Sequence, residues 1–389
     1  MWSAILCADW SKRAAKREVY AAWPAEKRVS RLWPPAGGWT VATVLAAAEG
    51  LRARGGSVLV GFDAPIGAPA SFLRAVGGAS FPAWLRSLRD ERVFDPLPNT
   101  GRWSVKRPFV RIPAGEGSRR AFERRLRKRG FETLRRIDAL AHAKPAFIVS
   151  GIPGSVGSAT MDIWRGLGAA LRARAAAPAL WPFDGRLLEL ASAHRVVVGE
   201  IYPRLAYALA AAPNVAADLH PIAVAKSRPA LRSSFLERVS VWADRAGVAL
   251  EDLGPARDSE DAFDACVTAA ALLRCELEGT PLSDPTLEDA VAEGGILGSG
   301  GVRLTLREQA FRVEPGAVPA PQQKSLFGPR RSALYRCPIP GCTRDFKGAR
   351  GGWDGHVGSR AKHPAWHPEL KKPADRIEQF RAEFPDFFR

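Results

Sequence analysis

The chain has 389 residues, 46% of them hydrophobic, with 57 Lys and Arg against 40 Asp and Glu, a net charge of +17. That length can bury one large core plus an appendage, and the absence of any run of 18 apolar residues argues against a membrane span. The five cysteines are too few and too scattered for a disulfide framework, and the short start from Met1 to Leu6 meets Asp9 too soon for a signal-peptide core, so a soluble, cytoplasmic protein is expected.

Taken along the chain, the hydrophobic pattern alternates between strand and helix. Residues 3–9, SAILCAD, form an apolar run closed by an acid, which predicts a central strand. Residues 17–23 and 28–33 predict two short strands of a meander. Residues 40–54 predict an Ala/Leu-rich helix ended by Gly55-Gly56. Residues 57–62, SVLVGF, form a second buried strand, again meeting an acid, Asp63. Residues 84–117 read as loop, and 118–142 as one basic helix with Phe122, Leu126, Leu134 and Ile137 on its apolar side and Gly130 as a weak point. Strands are predicted at 145–150 and 195–201, and helices near 157–175, 203–211, 228–246 and 260–277. The Pro-, Gly- and Gln-rich stretch 314–333 reads as a linker between a domain at 1–313 and a small unit at 334–389. The whole predicts an α/β sheet covered on both faces by helices.

The charge is unevenly spread. Residues 101–140 hold 13 Lys and Arg against 4 Asp and Glu, and residues 322–389 hold 14 against 7, so these two stretches carry +9 and +7 of the total of +17. Two concentrated basic surfaces suit a polyanion, most commonly DNA or RNA. On the helix of the first stretch, Arg124, Arg127 and Lys128 are the candidate phosphate contacts.

Acids stand where the strands stop. Asp9 follows Ile5-Leu6-Cys7-Ala8, Asp63 follows Val58-Leu59-Val60-Gly61-Phe62, and Glu200 follows Val196-Val197-Val198-Gly199. Ligands of α/β sheets collect beyond such carboxyl ends. Asp261 and Asp264 lie three apart, on one face of an otherwise apolar helix. Burying that many carboxylates is costly without a neutralising partner. Hard oxygen ligands call for magnesium or manganese, and a pair of such ions suits phosphodiester hydrolysis. Taken one at a time, any of these acids could instead be a surface charge, and Asp261 could simply begin its helix.

The segments ILCADWS, VGFDAPIG, GEIYPRLAYAL, AKSRPALRSSFLERV, EDAFDACVTAAAL and EGGILG occur here in an order that resembles the domain-of-unknown-function 429 family. The resemblance covers roughly residues 1–300 and implies an RNase H-like mixed sheet flanked by helices; the basic, helical insertion at 84–143 departs from the family pattern and leaves the substrate open. The resemblance implies that Asp9, on the central strand, bridges two metal ions. Asp63 would close the fourth strand, Asp261 and Asp264 would be helix ligands, and Glu200 would belong to a Glu–x–x–Pro motif. Lys226 and Arg232 would contact phosphate. The resemblance supports a metal-dependent nuclease. A non-catalytic nucleic-acid-binding or adaptor protein on the same scaffold is the second reading. An actin-like phosphotransferase ranks last, because no second Asp–x–Gly strand turn is present.

Near the C-terminus, Cys337-x4-Cys342-x13-His356-x6-His363 resembles a two-Cys-two-His zinc finger. Two thiols and two imidazoles suit tetrahedral zinc, which would supply the folding energy that so short a segment lacks. The His-x6-His spacing exceeds the usual three to five, with His367 in reserve. Phe346 and Trp353 stand near the finger's two core positions. Lys347, Arg350, Arg360 and Lys362 surround it as candidate phosphate contacts. Residues 373–389 read as an amphipathic helix ending in Phe384, Phe387 and Phe388, a candidate docking tail for a protein partner.

Weaker signals remain. His142, His194 and His220 are scattered and read as structural. Ser11 suits a turn cap or a substrate contact. Gly151-x-x-Gly154-x-x-Gly157 could cradle a phosphate. Trp10, Trp103 and Trp353 could stack on bases.

Overall fold

The computed structural model describes the chain apart from residues 1, 54, 97–103, 113–118, 151–155, 174–176, 194, 213–219, 280–281, 283–291, 300–308, 312–333, 343–344, 348–355, 360–362, 371 and 385–389. Gly151, Gly154, Trp103, His194, Arg350, Trp353, Arg360, Lys362, Phe387, Phe388 and the linker therefore lie outside the described residues, as do the side chains of Phe346 and Lys347. The chain divides into two compact units, Met1–Val313 and Glu314–Arg389.

The strands are β1 (Ala4–Asp9), β2 (Glu18–Trp23), β3 (Arg28–Leu32), β4 (Val58–Phe62), β5 (Val110–Arg111), β6 (Ile148–Ser150), β7 (Ala179–Leu180), β8 (Val196–Glu200), β9 (Ile222–Ala223), β10 (Ala249–Leu250), β11 (Gln309–Ala310), β12 (Leu334–Arg336) and β13 (Asp345–Lys347). The helices are α1 (Val41–Arg52), α2 (Ala70–Ala75), α3 (Phe81–Ser87), α4 (Arg119–Arg127), α5 (Arg136–Leu140), α6 (Gly157–Ala173), α7 (Leu187–Ser192), α8 (Pro203–Ala211), α9 (Pro229–Ala246), α10 (Leu253–Asp258), α11 (Glu260–Glu278) and α12 (Pro373–Glu383). Local chemistry sets the helix ends. Thr40 and Thr43 form a reciprocal cap at the start of α1. Gly247 and Gly279, both at φ +67°, close α9 and α11 in the left-handed conformation that glycine adopts without penalty.

A seven-stranded mixed sheet, in the order β10-β3-β2-β1-β4-β8-β7, forms the centre of the first unit. β2 runs antiparallel to its neighbours β1 and β3, while β1, β4, β8 and β7 run parallel. All six residues of β1 and all five of β4 and β8 are buried. Strands covered on both sides read as continuous apolar runs, and each fully buried Val, Leu or Ile contributes about 1.5–3 kcal/mol. Alternation of side chains divides the core in two. Ile5, Cys7, Leu59 and Val197 face the layer containing Phe263 of α11 and Tyr207 of α8. Leu6, Ala8, Val60, Phe62 and Val198 face the layer containing Val44 of α1, Phe81 of α3 and Trp164 of α6. Cys7, Cys266 and Cys275 are buried free thiols.

The basic segment differs from its expected form. In place of one helix over 118–142, α4 and α5 are separated at Gly130, whose φ of +81° breaks the first helix. β6 lies outside the main sheet and pairs with β5. Phe122 and Leu126 of α4 are buried with Val110 and Ile148, leaving Arg124, Arg127 and Lys128 exposed. Two motif segments cross nearby. A Cβ on Gly67 would stand 2.0 Å from the Glu293 carbonyl oxygen, and one on Gly294 would stand 2.2 Å from that of Ile66. Only glycine allows that backbone approach.

In the second unit, β12 and β13 form a hairpin. The described part of the C-terminal helix packs within its own unit. Phe380 of α12 is fully buried with Cys337, Ile339 and Val357, and supplies core that a finger of this length otherwise lacks.

Candidate functional site

Three carboxylates converge at the carboxyl end of the sheet. Oxygen atoms of Asp9, Asp63 and Asp264 all lie within 4.8 Å of one another. Register explains how. β1 and β4 are aligned with Ala8 opposite Phe62, so Asp9 and Asp63, the next residues, project to the same face. That face carries α11, which presents Asp264. Asp9 is 6% exposed and Asp264 1%.

Glu200 lines the same cleft as Asp63 but misses the triad for the same reason. It is aligned with Phe62, one residue short of Asp63, and a shift of one residue reverses the face. Its carboxylate accepts from both terminal nitrogens of Arg135, at 2.7 and 2.8 Å, and from the Ile66 amide at 2.9 Å. Arg135 also donates from Nη2 and Nε to Asp138, at 2.6 and 3.0 Å. Glu200 is thus engaged by a buried arginine and lies outside the converging triad. Asp261 also lies outside it, half-buried in the first turn of α11 next to Glu260. A helix N-terminus favours acids there.

Two donors already meet Asp264: the Tyr207 hydroxyl on Oδ1 and the Lys226 ammonium on Oδ2. The expected phosphate-binding residue Lys226 therefore points into the acid cluster. Arg232 departs from its expected role more fully. It is 4% exposed, and its guanidinium donates to the carbonyls of Lys226, Arg257 and Asp258. Trp10 is 5% exposed, edge-on to Phe62, covered by the Arg17 guanidinium and bonded to Asp162 at 2.9 Å, so no face is open to a base. Ser11 accepts from the Arg13 amide and caps a turn. The roles of Tyr207 and Arg135 were missed in the sequence. Tyr207 sits in the quoted motif GEIYPRLAYAL, but nothing local marks it as polar and inward.

Burial and mutual repulsion raise all three carboxyls of the cluster, which could hold a divalent cation. Burial first, then Asp264 and Asp63, hold the Asp9 carboxyl well above its usual range. Burial and Asp264 push Asp63 up to about 7, with Lys226 and a hydrogen bond from Asp9 opposing. Burial raises Asp264 too, against Lys226 and Tyr207. A carboxyl whose folded pKa exceeds its unfolded pKa binds more protons when folded. Stability therefore falls as pH rises between the two values. Metal-free protein should accordingly melt higher at pH 5 than at pH 7.5, roughly the window spanned by Asp63. The difference should shrink in Asp63→Asn, as followed by thermal unfolding. An unchanged slope in the variant would count against the clustered acids. A cleft of about 460 Å³ opens beside the triad, lined by Asp63, Lys144, Tyr202, Arg204 and Lys226 among others.

Donor chemistry fits a hard divalent ion at this triad, since all its ligand atoms are carboxylate oxygens. The second unit fits a softer one. One ligand atom each from Cys337, Cys342, His356 and His363 lies within 4.8 Å of the others. His356 Nε2 stands 2.9 Å from His363 Nε2 and 3.3 Å from Cys342 Sγ. Two sulfurs and two imidazole nitrogens suit zinc. The six-residue histidine spacing is accommodated, and His367 is not needed as a ligand because Glu369 and Glu383 engage it. Arg376 of α12 donates to the carbonyls of Val357, His363 and His367, fixing the histidine-bearing segment.

Among the described residues, no helix is long and apolar enough to cross a membrane. No curated protein and no solved structure matches the chain. A family model does match, over residues 4–285, which span both strands and the helix that bring the three acids together. The chain thus belongs to the family described as protein of unknown function, DUF429.

Proposed function

We propose that the first unit is an RNase H-like, metal-dependent nuclease that hydrolyses phosphodiester bonds in DNA or RNA. The observation that carries this reading is the convergence of Asp9 from β1, Asp63 from the end of β4 and Asp264 from α11, the first and last buried, Asp63 half-buried, all mutually repelling. Further support comes from topology. β1 lies inside the sheet with Asp9 at its end, and β4 runs beside it with Asp63 just beyond.

Magnesium or manganese at this site would lower the pKa of water and neutralise charge on the departing oxygen. Asp9, Asp63 and Asp264 would together hold such an ion. Asp261, one turn before Asp264, is the nearest further carboxylate on α11. Tyr207 and Lys226 orient Asp264. Lys226 also lines the cleft, with its positive charge beside the acids. Glu200, held by Arg135, fixes the Ile66 amide and so the turn that carries Asp63. Arg124 and Arg127 on α4 and Lys128 just after it would contact the backbone of the nucleic acid, as would Lys347, Arg350 and Arg360 in the zinc-binding unit.

Screening of single-stranded, duplex and branched DNA and RNA with magnesium or manganese tests the proposal. Asp9→Asn and Asp264→Asn should each lose more than about 100-fold in rate, beyond the 10–100-fold expected when only an outer partner such as Tyr207 is changed to Phe. Manganese should raise the melting temperature of the wild type but not of Asp9→Asn. Absence of cleavage on every structure would sink the hydrolase reading. The Lys226 ammonium on Asp264 favours a second reading, a nucleic-acid binder whose acids need no ion. Binding that is unchanged in Asp9→Asn, with no cleavage by either protein, would select it.

A further inference from the structure

Among the described residues, the exposed large apolar side chains are Trp33, Leu188 and Val241, and Trp33 is the aromatic one. It is 71% exposed, while Trp10, Trp39, Trp84, Trp164 and Trp181 are each no more than 6% exposed. The Arg31 guanidinium stacks 4.7 Å from its ring centroid. Arg31 is itself held by Glu18 through bonds of 2.8 Å from Nε and Nη2, so the ring rests against a fixed cationic plane.

The register places this ring with respect to the acids. Asp9 pairs with Glu18 across β1 and β2, and Leu32 pairs with Val19 across β2 and β3. Trp33 directly follows β3, and Arg31, which is bonded to Glu18, stacks on its ring, so Trp33 lies beside Glu18 at that edge. Directly opposed residues project to one face, so Asp9 and Glu18 share a face, and β3 lies two strand spacings, or about 10 Å, from β1. Cations stand at the same end of the sheet. Lys12, Arg13 and Lys16 are exposed in the turn that follows Asp9, and among the described residues no ion pair engages them. That turn abuts the segment after Trp33. Arg17 donates to the Trp39 carbonyl at 2.7 Å, and a Cβ on Gly38 would stand 3.0 Å from the Ala14 oxygen.

We propose that Trp33, with Lys12, Arg13 and Lys16, forms a platform for an unpaired nucleotide strand. One base stacks on the Trp33 ring, and the phosphates run over the cationic turn toward the acids. An indole face accepts any base but only when that base is unpaired, whereas the flanking lysines meet the backbone of either form. The platform deepens the nuclease reading by giving its site a single-stranded substrate, although binding itself needs no catalysis.

The test is binding by the zinc-loaded full chain in buffer without magnesium or manganese. The probes are fluorescein-labelled oligothymidylate, oligouridylate and a blunt DNA duplex. Trp33→Ala should weaken binding to both single strands by about tenfold and leave duplex binding unchanged. Trp33→Phe should keep most of the affinity. Lys12→Gln with Lys16→Gln should reduce the slope of log K against log salt by about 1.4 on single strands. The exposed ring makes loss of folding in Trp33→Ala a minor concern, checked by an unchanged melting temperature. Single-strand binding by Trp33→Ala equal to wild type, or an equal loss on duplex, overturns the platform. Cleavage is measured separately with manganese. Trp33-dependent binding without cleavage leaves the platform and removes the nuclease, while cleavage with Trp33-independent binding does the reverse.

Discussion

Removal of zinc should unfold the C-terminal unit and leave the first unit folded. The reason is the composition of its core. Among the described residues, its fully or nearly buried apolar members are Cys337, Ile339, Val357 and Phe380, too few to offset the entropy of ordering the segment. A bound structural zinc contributes on the order of 10–16 kcal/mol in comparable small sites. Purified protein should therefore carry zinc, and a strong chelator should open the amides of β12 and α12 to hydrogen exchange while those of β1 and β4 stay protected. Cys337→Ser should behave like chelated protein at any zinc concentration. Protection of α12 that persists after zinc is stripped would refute the site. The same experiment tests Arg376, because its three carbonyl partners lie on the segment that carries His363. Arg376→Ala should weaken zinc retention by about 10–100-fold, as loss of an outer partner does.

Arg135→Ala should cost about 3–5 kcal/mol, measured as a shift of the denaturation midpoint at unchanged slope. Arg135 is fully buried between two carboxylates, Asp138 and Glu200, and also donates to the Ile66 carbonyl at 3.4 Å. Its removal leaves two acids in an apolar layer with no cation between them. Burial and the attraction of both acids work in opposite directions on the guanidinium, and the acids prevail, so it stays charged. Glu200→Gln should cost less, because Arg135 keeps Asp138. The double variant should then be less destabilised than the sum of the singles, since contacting partners couple. Additive losses would mean that the pair does not act as a unit. The linkage also has a functional side. Arg135 comes from the basic segment and Glu200 from β8, so this ion pair fixes the segment with α5 to the strand beside Asp63.

Much of this architecture is legible in local pattern. AILCAD, VLVGF and VVVGE are continuous apolar runs, and strands buried on both faces can be little else. The helices at 203–211, 229–246 and 260–278 follow from Pro at the first position or Ser at the cap, and from Gly247 and Gly279 at two of the ends. Asp9 and Asp63 are visible as the acids at which apolar runs stop, and Asp264 as an acid among Ala, Phe and Val. The zinc quartet follows from residue type and spacing alone. Other features depend on which strand lies beside which. Glu200 has the same local signature as Asp63, yet alignment with Phe62 turns it to the opposite face, where Arg135 meets it. No window of sequence contains that register, because it is set by the pairing of β4 with β8 across more than a hundred residues. Lys226, Tyr207 and Arg232 are likewise ordinary in their own segments. Their partners are decided by how α8, α9 and α11 pack over one face of the sheet, bringing a lysine and a phenol to Asp264 while burying the arginine against backbone carbonyls. Periodicity reports how a segment is covered, and only packing reports what covers it.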